Sequence, residues 1–149
     1  MNNEMEIKFK ATLTNELLAR QAIISFISPL NPSFDEVGEI KTIVSEGVSN
    51  AIIHGYKFNS SKDVYIKAIL FDDGVEIIIK DFGVGIENIK EAKTPHYTSR
   101  PDLERAGMGL TIIETLSDSF YIKSVPGMGS KLIIKKKIQP VIEKSESKV

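Results

Sequence analysis

Glu46 and Asn50 stand four positions apart in a stretch of helical periodicity, so their side chains share one face, and His54 continues the line. A carboxylate there can take a proton from an attacking hydroxyl. An amide oxygen one turn later can bind a hard cation. Mg²⁺ is commonly held by one or two protein oxygens with phosphates and waters, so a single asparagine suffices. The same spacing also describes an ordinary solvated face, since the stripe lies nearly opposite Val44, Val48 and Ala51. Asp81-Phe-Gly83-Val-Gly85-Ile86 directly follows a strand pattern. It reads either as a turn with two flexible positions or as the floor of a nucleotide pocket. In the second case the carboxylate accepts a hydrogen bond from an adenine amino group, and the glycines let a flat base approach the backbone. Arg105-Ala-Gly107-Met-Gly109-Leu110 opens a helical pattern. Gly-rich turns at helix starts offer backbone N–H groups and a positive dipole end to phosphate oxygens.

Other chemistry finds little support. Gly127-Met-Gly129-Ser130 reads as a hairpin turn, and Lys135-Lys-Lys137 as a solvated edge that discourages sheet aggregation. The P-loop pattern and the G-x-G-x-x-G dinucleotide fingerprint are absent. His54 and His96 form no H-E-x-x-H set, and there is no G-x-S-x-G elbow.

The elements that must position these residues follow from periodicity. Met5, Ile7, Phe9 and Ala11 alternate with Glu6, Lys8 and Lys10, the period of a half-buried strand. Thr12 or Thr14 caps a helix to about Ile27, with Leu17, Leu18, Ile24 and Ile27 expected on its buried side. Ser33-Phe-Asp-Glu36 has the pattern of a capping box. It opens a long helix expected over about 34–54, with Gly55 as its C′ residue. Val64–Phe71 is apolar on both faces and reads as a covered central strand. Asp72-Asp73-Gly74 turns it back into Val75–Lys80 as a hairpin. A short helix over Gly109–Ser117 and a strand pair, Phe120–Val125 and Lys131–Ile138, complete the order. Hairpin-joined strands with helices on one face make a single-domain α+β two-layer sandwich. The domain is expected over 1–138 and a polar, frayed tail over 139–149.

Composition narrows the class. The 149 residues contain 42% hydrophobic and 26% charged residues, which allows a buried core and a soluble surface. The formal charge of -1 provides no general field toward nucleic acid or an anionic membrane. With 0 Cys, disulfides, zinc–thiolate sites and thiol catalysis are excluded. The start has no basic and apolar regions of a signal peptide, and no apolar run approaches the roughly 20 residues of a membrane span. A cytoplasmic domain is the expectation.

Taken together, Glu46…Asn50, Asp81-x-Gly83-x-Gly85, Gly107-x-Gly109 and Gly127-x-Gly129-Ser130 occur in the order of a known ATP-binding fold. Over about Met5 to Ile138 the chain resembles the superfamily of gyrase B subunits, heat-shock chaperone ATPases, sensor histidine kinases and mismatch-repair ATPases. Within it, Ile43-Val-Ser-Glu46-Gly-Val-Ser-Asn50-Ala-Ile-Ile-His54-Gly55-Tyr56 and Pro101-Asp-Leu-Glu-Arg105-Ala-Gly-Met-Gly109 are similar to the bacterial anti-sigma-factor serine kinases. That resemblance implies a histidine-kinase-like ATPase fold, with a mixed sheet under helices and a mobile ATP lid. It implies binding of a sporulation sigma factor, and ATP-dependent phosphorylation of a serine on a small anti-anti-sigma protein. Two alternatives stay open: a general-stress sigma-factor regulator of the same kinase family, and an ATP-binding anti-sigma module without kinase activity.

The resemblance also assigns roles. Glu46 is the catalytic base and Asn50 the Mg²⁺ ligand. Asp81 binds adenine, with Gly83 and Gly85 shaping the pocket and Ser130 supplying a hydroxyl nearby. Gly107 and Gly109 line the triphosphate, Arg105 contacts phosphate, and Thr98 and Met108 complete the nucleotide contacts. The lid is expected over about Lys93 to Ala106. Arg105 replaces a glycine that histidine kinases often carry, and only 32 residues precede the long helix, with no histidine among them. A free-standing kinase acting on a separate protein fits better than a histidine kinase, and a homodimer is implied. Glu16 and Arg20, on the polar side of the first helix, read as a solvated pair or as a partner-binding contact, since interfaces favour arginine.

Overall fold

The computed structural model describes residues 2–88 and 109–139. Strand β1 (Asn3–Lys10) leads into helix α1 (Asn15–Ile27), then a short 3₁₀ turn, then helix α2 (Phe34–Asn50). One π-helical turn (Ala51–Gly55) follows α2. Strands β2 (Asp63–Phe71) and β3 (Gly74–Asp81) form a hairpin. Helix α3 (Gly109–Leu116) and the hairpin β4 (Ser119–Val125) and β5 (Gly129–Lys137) complete the fold.

The five strands lie in the order β1-β2-β3-β5-β4, with helices on one face. Every described ladder is antiparallel, where the resemblance implies a mixed sheet. The reason is topological. The chain crosses over from β3 to β4 at the edge, and β5 then turns back into the gap, so the two strands of like direction never become neighbours.

Alternation decides what each strand buries. Val64, Ile66, Ala68 and Leu70 of β2, with Val75, Ile77 and Ile79 of β3, point into the core. The other face of β2 carries Tyr65, Lys67 and Ile69, only half-buried. The expectation of a strand covered on both sides therefore holds for one side among the described residues.

Helix α2 starts at the expected capping box. The Glu36 N–H donates to Ser33 Oγ (3.1 Å), and the Ser33 N–H donates to Glu36 Oε1 (2.9 Å). Asp35 and Glu36 also place negative charge at the positive end of the helix dipole. Ile40, Ile43, Val44 and Val48 are fully buried. A Cβ at Gly47 would run into Ile79, so glycine lets the helix close onto β3.

Helix α1 departs from its expected orientation. Its buried residues are Ala19, Ile23 and Ile27, whereas Leu17 and Leu18 are 54% and 53% exposed. The helix is apolar nearly all round, so periodicity alone leaves two candidate faces. The face with the small Ala19 allows the close approach to α2. Thr14 occupies the N-cap position without a side-chain capping bond.

Candidate functional site

Asp81 ends β3 on the core side of the sheet, opposite Ser130 of β5, which in turn faces Ser124 of β4. Asp81 is 4% exposed. Its Oδ1 accepts from the Gly83 N–H at 2.9 Å, and the Ser130 N–H also donates to the carboxylate. Burial nevertheless pushes its pKa up to about 6, against the lowering effect of those two donors. At neutral pH the group is mostly a desolvated carboxylate. A carboxylate has about four acceptor positions, so two backbone donors leave capacity for an amino group from a ligand.

The glycines form a closely packed floor beside this carboxylate. Gly83 lies against the backbone of Gly55 so tightly that a Cβ would overlap the Gly55 carbonyl. The Val84 N–H donates to that carbonyl at 2.9 Å. A Cβ at Gly55 would in turn meet the Asp81 carboxylate at 2.7 Å. Gly85 has φ +78°, a conformation that side chains disfavour. The π turn belongs to the same device. The expected helix over 34–54 is α-helical only to Asn50 and then widens, with the Tyr56 N–H donating to the Ala51 carbonyl. That extra backbone sets Gly55 under Gly83.

Three residues of this floor were not singled out from the sequence as site residues. Tyr56 accepts from the Phe82 N–H at 2.7 Å and donates to the Asp63 carbonyl at 2.6 Å, tying the end of β3 to the start of β2. Its pKa is raised, first by burial, so the phenol stays protonated. Ser124 Oγ accepts from the Ile86 N–H at 2.6 Å and lies 2.9 Å from Ser130 Oγ. Gly55 was read only as a helix terminator. The signal for each lies in long-range register, which no local motif reports.

Glu46 and Asn50 are half-buried on α2, not on a fully solvated face. On the helical wheel they share a stripe with Glu39. Lys136 links Glu39 (3.3 Å) to the carbonyl of Leu116 (2.6 Å), which fixes the last residue of α3 beside the first half of α2. The other end of α3 is its N-terminus at Gly109. A helix N-terminus there suits anionic oxygens. The Asn50 amide makes no side-chain hydrogen bond among the described residues, which leaves its oxygen available to a cation. No cluster of three His, Cys, Asp or Glu able to hold a metal exists among the described residues. A single amide oxygen fits a Mg²⁺ whose other ligands would be phosphate oxygens and waters.

The expected pair of Glu16 with Arg20 is not formed. Glu16 turns to α2, where its Oε2 accepts from the Ser49 hydroxyl at 2.7 Å. Arg20 Nε is buried without a hydrogen-bond partner among the described residues. The structure thus brings Asp81, Gly83, Gly85 and Ser130 together. It joins α1 to the helix of Glu46 and Asn50 through Ser49. Thr98, Arg105, Gly107 and Met108, with the expected lid and the tail beyond Gln139, lie outside the described residues.

The chain is similar to known proteins. Residues 9–136 match the family model described as a histidine kinase-like ATPase domain. An anti-sigma F factor of Priestia megaterium is 51% identical over 137 residues, covering 91% of this chain and 93% of that protein. Anti-sigma F factors of Oceanobacillus iheyensis and Clostridium perfringens are 50% and 48% identical over 138 residues, each covering 93% of this chain and 94% and 99% of theirs. A solved structure of the RsbU and RsbW domains of a Mycobacterium tuberculosis protein superposes with a TM-score of 0.65 at 18% identity. It covers 91% of this chain and 32% of that longer one, and shares the fold. The chain belongs to the histidine kinase-like ATPase domain family and, within it, to the anti-sigma F factors. The family membership implies ATP as a ligand. No described helix is long and apolar enough to cross a membrane.

Proposed function

We propose that the chain is a cytoplasmic anti-sigma factor that binds a sporulation sigma factor and uses ATP with Mg²⁺ to phosphorylate a serine of an anti-anti-sigma protein. The observation that carries this reading is a buried, desolvated carboxylate, Asp81, on a glycine floor, with Glu46 and Asn50 one turn apart on the helix beside it. Asp81 accepts the adenine amino group, while Gly83, Gly85 and Ser130 admit the base. Asn50 would hold Mg²⁺, which when bound screens the phosphate charge. Glu46 takes the proton of the attacking serine hydroxyl. Arg105, Gly107 and Gly109 receive the phosphates and Thr98 and Met108 complete the nucleotide contacts, roles that rest on the family resemblance. Phosphoryl transfer needs positioning and charge neutralisation more than covalent help from the protein.

A partner face at and just before α1 is part of this reading. Leu13, Leu17 and Leu18 are exposed there, beside Glu16 and the unsatisfied Arg20 Nε. Exposed leucines grouped with an arginine are the composition of an interface. The same surface supports a homodimer. Incubation with labelled ATP, Mg²⁺ and a candidate anti-anti-sigma protein tests the reaction. Label on a serine is the expected result, and ATP binding without transfer would leave a non-catalytic anti-sigma module.

A further inference from the structure

The side of the sheet away from the helices carries two adjacent rows of side chains that run across β3, β5 and β4. In one row Lys80 faces Lys131, and Lys131 faces Lys123. In the next, Ile78 faces Ile133, and Ile133 faces Tyr121, which is 64% exposed. Like charges directly opposite one another oppose strand pairing. On the same face Lys10 pairs with Asp63 (3.0 Å), and Lys67 and Lys135 lie 4.0 Å from Glu4 and Glu76. Lys80, Lys123 and Lys131 form no ion pair among the described residues. Three lysines without an ion-pair partner thus stand side by side on adjacent strands. That row lies directly behind the pocket floor, since Asp81, Ser130 and Ser124 are the next residue along each strand.

We infer that this face docks an acidic amphipathic helix of a partner protein, lying across the strands. Neighbouring strands are about 4.8 Å apart, and acidic residues three or four positions apart on a helix advance about 4.5–6 Å. A stripe of glutamates thus matches the lysine row step for step, and aliphatic side chains beside it cover Ile78, Ile133 and Tyr121. Single-stranded nucleic acid fits less well. A run of stacked bases needs several free aromatic faces; Tyr121 offers one, but Phe82 already has Lys80 Nζ 4.6 Å from its ring centroid and Tyr65 against it at 5.5 Å in a T-shaped contact. The middle of the neighbouring row is aliphatic. The inference does not depend on kinase activity.

The test is an NMR titration of the full-length, isotope-labelled chain with a synthetic helical peptide that carries glutamates on one stripe and leucines beside it. Amide shifts centred on Lys123, Lys131 and Ile133 are expected, with affinity falling as salt rises. The Lys123→Glu/Lys131→Glu variant should lose about tenfold or more in affinity, while keeping its unfolding midpoint and ATP affinity. Tyr121→Ala should weaken the same peptide. Equal binding by the charge-reversed variant, or no effect of Tyr121→Ala, would overturn the inference. So would tighter binding of an oligouridylate to the row. Shifts of the row on raising protein concentration alone would assign the face to a second copy and also overturn it.

Discussion

Replacing Asp81 by asparagine should make the protein more stable and a poorer ATP binder at once. Burial raises the Asp81 pKa from 3.8 to about 6. The folded state therefore holds this proton more tightly than the unfolded chain does. Its favourable contribution is complete below about pH 3.8 and is lost as pH rises through about 6. Above that range the ionised group opposes folding by about 3 kcal/mol. Asparagine carries no charge, and its carbonyl oxygen can keep the bond from the Gly83 N–H. Part of the gain is offset by the weaker bond to the Ser130 N–H, so Asp81→Asn should gain about 1–3 kcal/mol at pH 7.5. For a domain of this size that raises the unfolding midpoint by roughly 2–4 °C per kcal/mol. By pH 4 the advantage should fall below about 1 kcal/mol, because Asp81 is then protonated in the fold. ATP affinity should drop about tenfold or more, since an amide donor can meet the adenine amino donor. Urea unfolding of both proteins at pH 7.5 and pH 4, with calorimetry for ATP, measures each part. A stability difference that does not change with pH would refute the reasoning, as would a mutant less stable at both values.

Gly83→Ala places a methyl group in the backbone of Gly55. It should cost about 1–3 kcal/mol of stability and reduce ATP affinity, read by urea unfolding and fluorescent-nucleotide titration. Tyr56→Phe strands the Phe82 N–H and the Asp63 carbonyl. A loss of about 1–3 kcal/mol is expected, and an unchanged midpoint would show that the phenol does not hold the pocket floor. Asn50→Ala should abolish most of the Mg²⁺-dependent part of ATP affinity while sparing binding in chelator, as calorimetry with and without Mg²⁺ would show.

Local patterns located the start of α2 and the end of β3 better than they located the exposed surfaces. The capping box at Ser33 and Glu36, the four-residue step from Glu46 to Asn50 and the Asp81–Gly83–Gly85 strand end are short-range patterns. Each has a direct physical reason, and each lies where its spacing places it. What depends on distant register was not readable in advance. Tyr56 and Ser124 matter because β2, β3, β4 and β5 bring Asp63, Phe82, Ile86 and Ser130 to their hydroxyls. The π turn at 51–55 sets Gly55 against Gly83, a long-range contact that no local pattern reports. Leu17 and Leu18 were assigned to the core because α1 has apolar residues on every side. Glu16 chose Ser49 on a neighbouring helix over Arg20 on its own. The uncompensated lysine row needs the strand order β3-β5-β4, which sequence order conceals.

The central claim, that Glu46 is the base of a phosphoryl transfer and not a structural carboxylate, is tested most directly by Glu46→Gln. The measurement is label transfer from ATP to the anti-anti-sigma protein, with ATP affinity determined on the same preparation. Glutamine keeps the size and polarity of the side chain, so ATP affinity should stay within about twofold, while transfer falls by roughly 10²–10⁴, the range for loss of a general base. Transfer at the wild-type rate, or a parallel loss of ATP binding, would contradict the assignment.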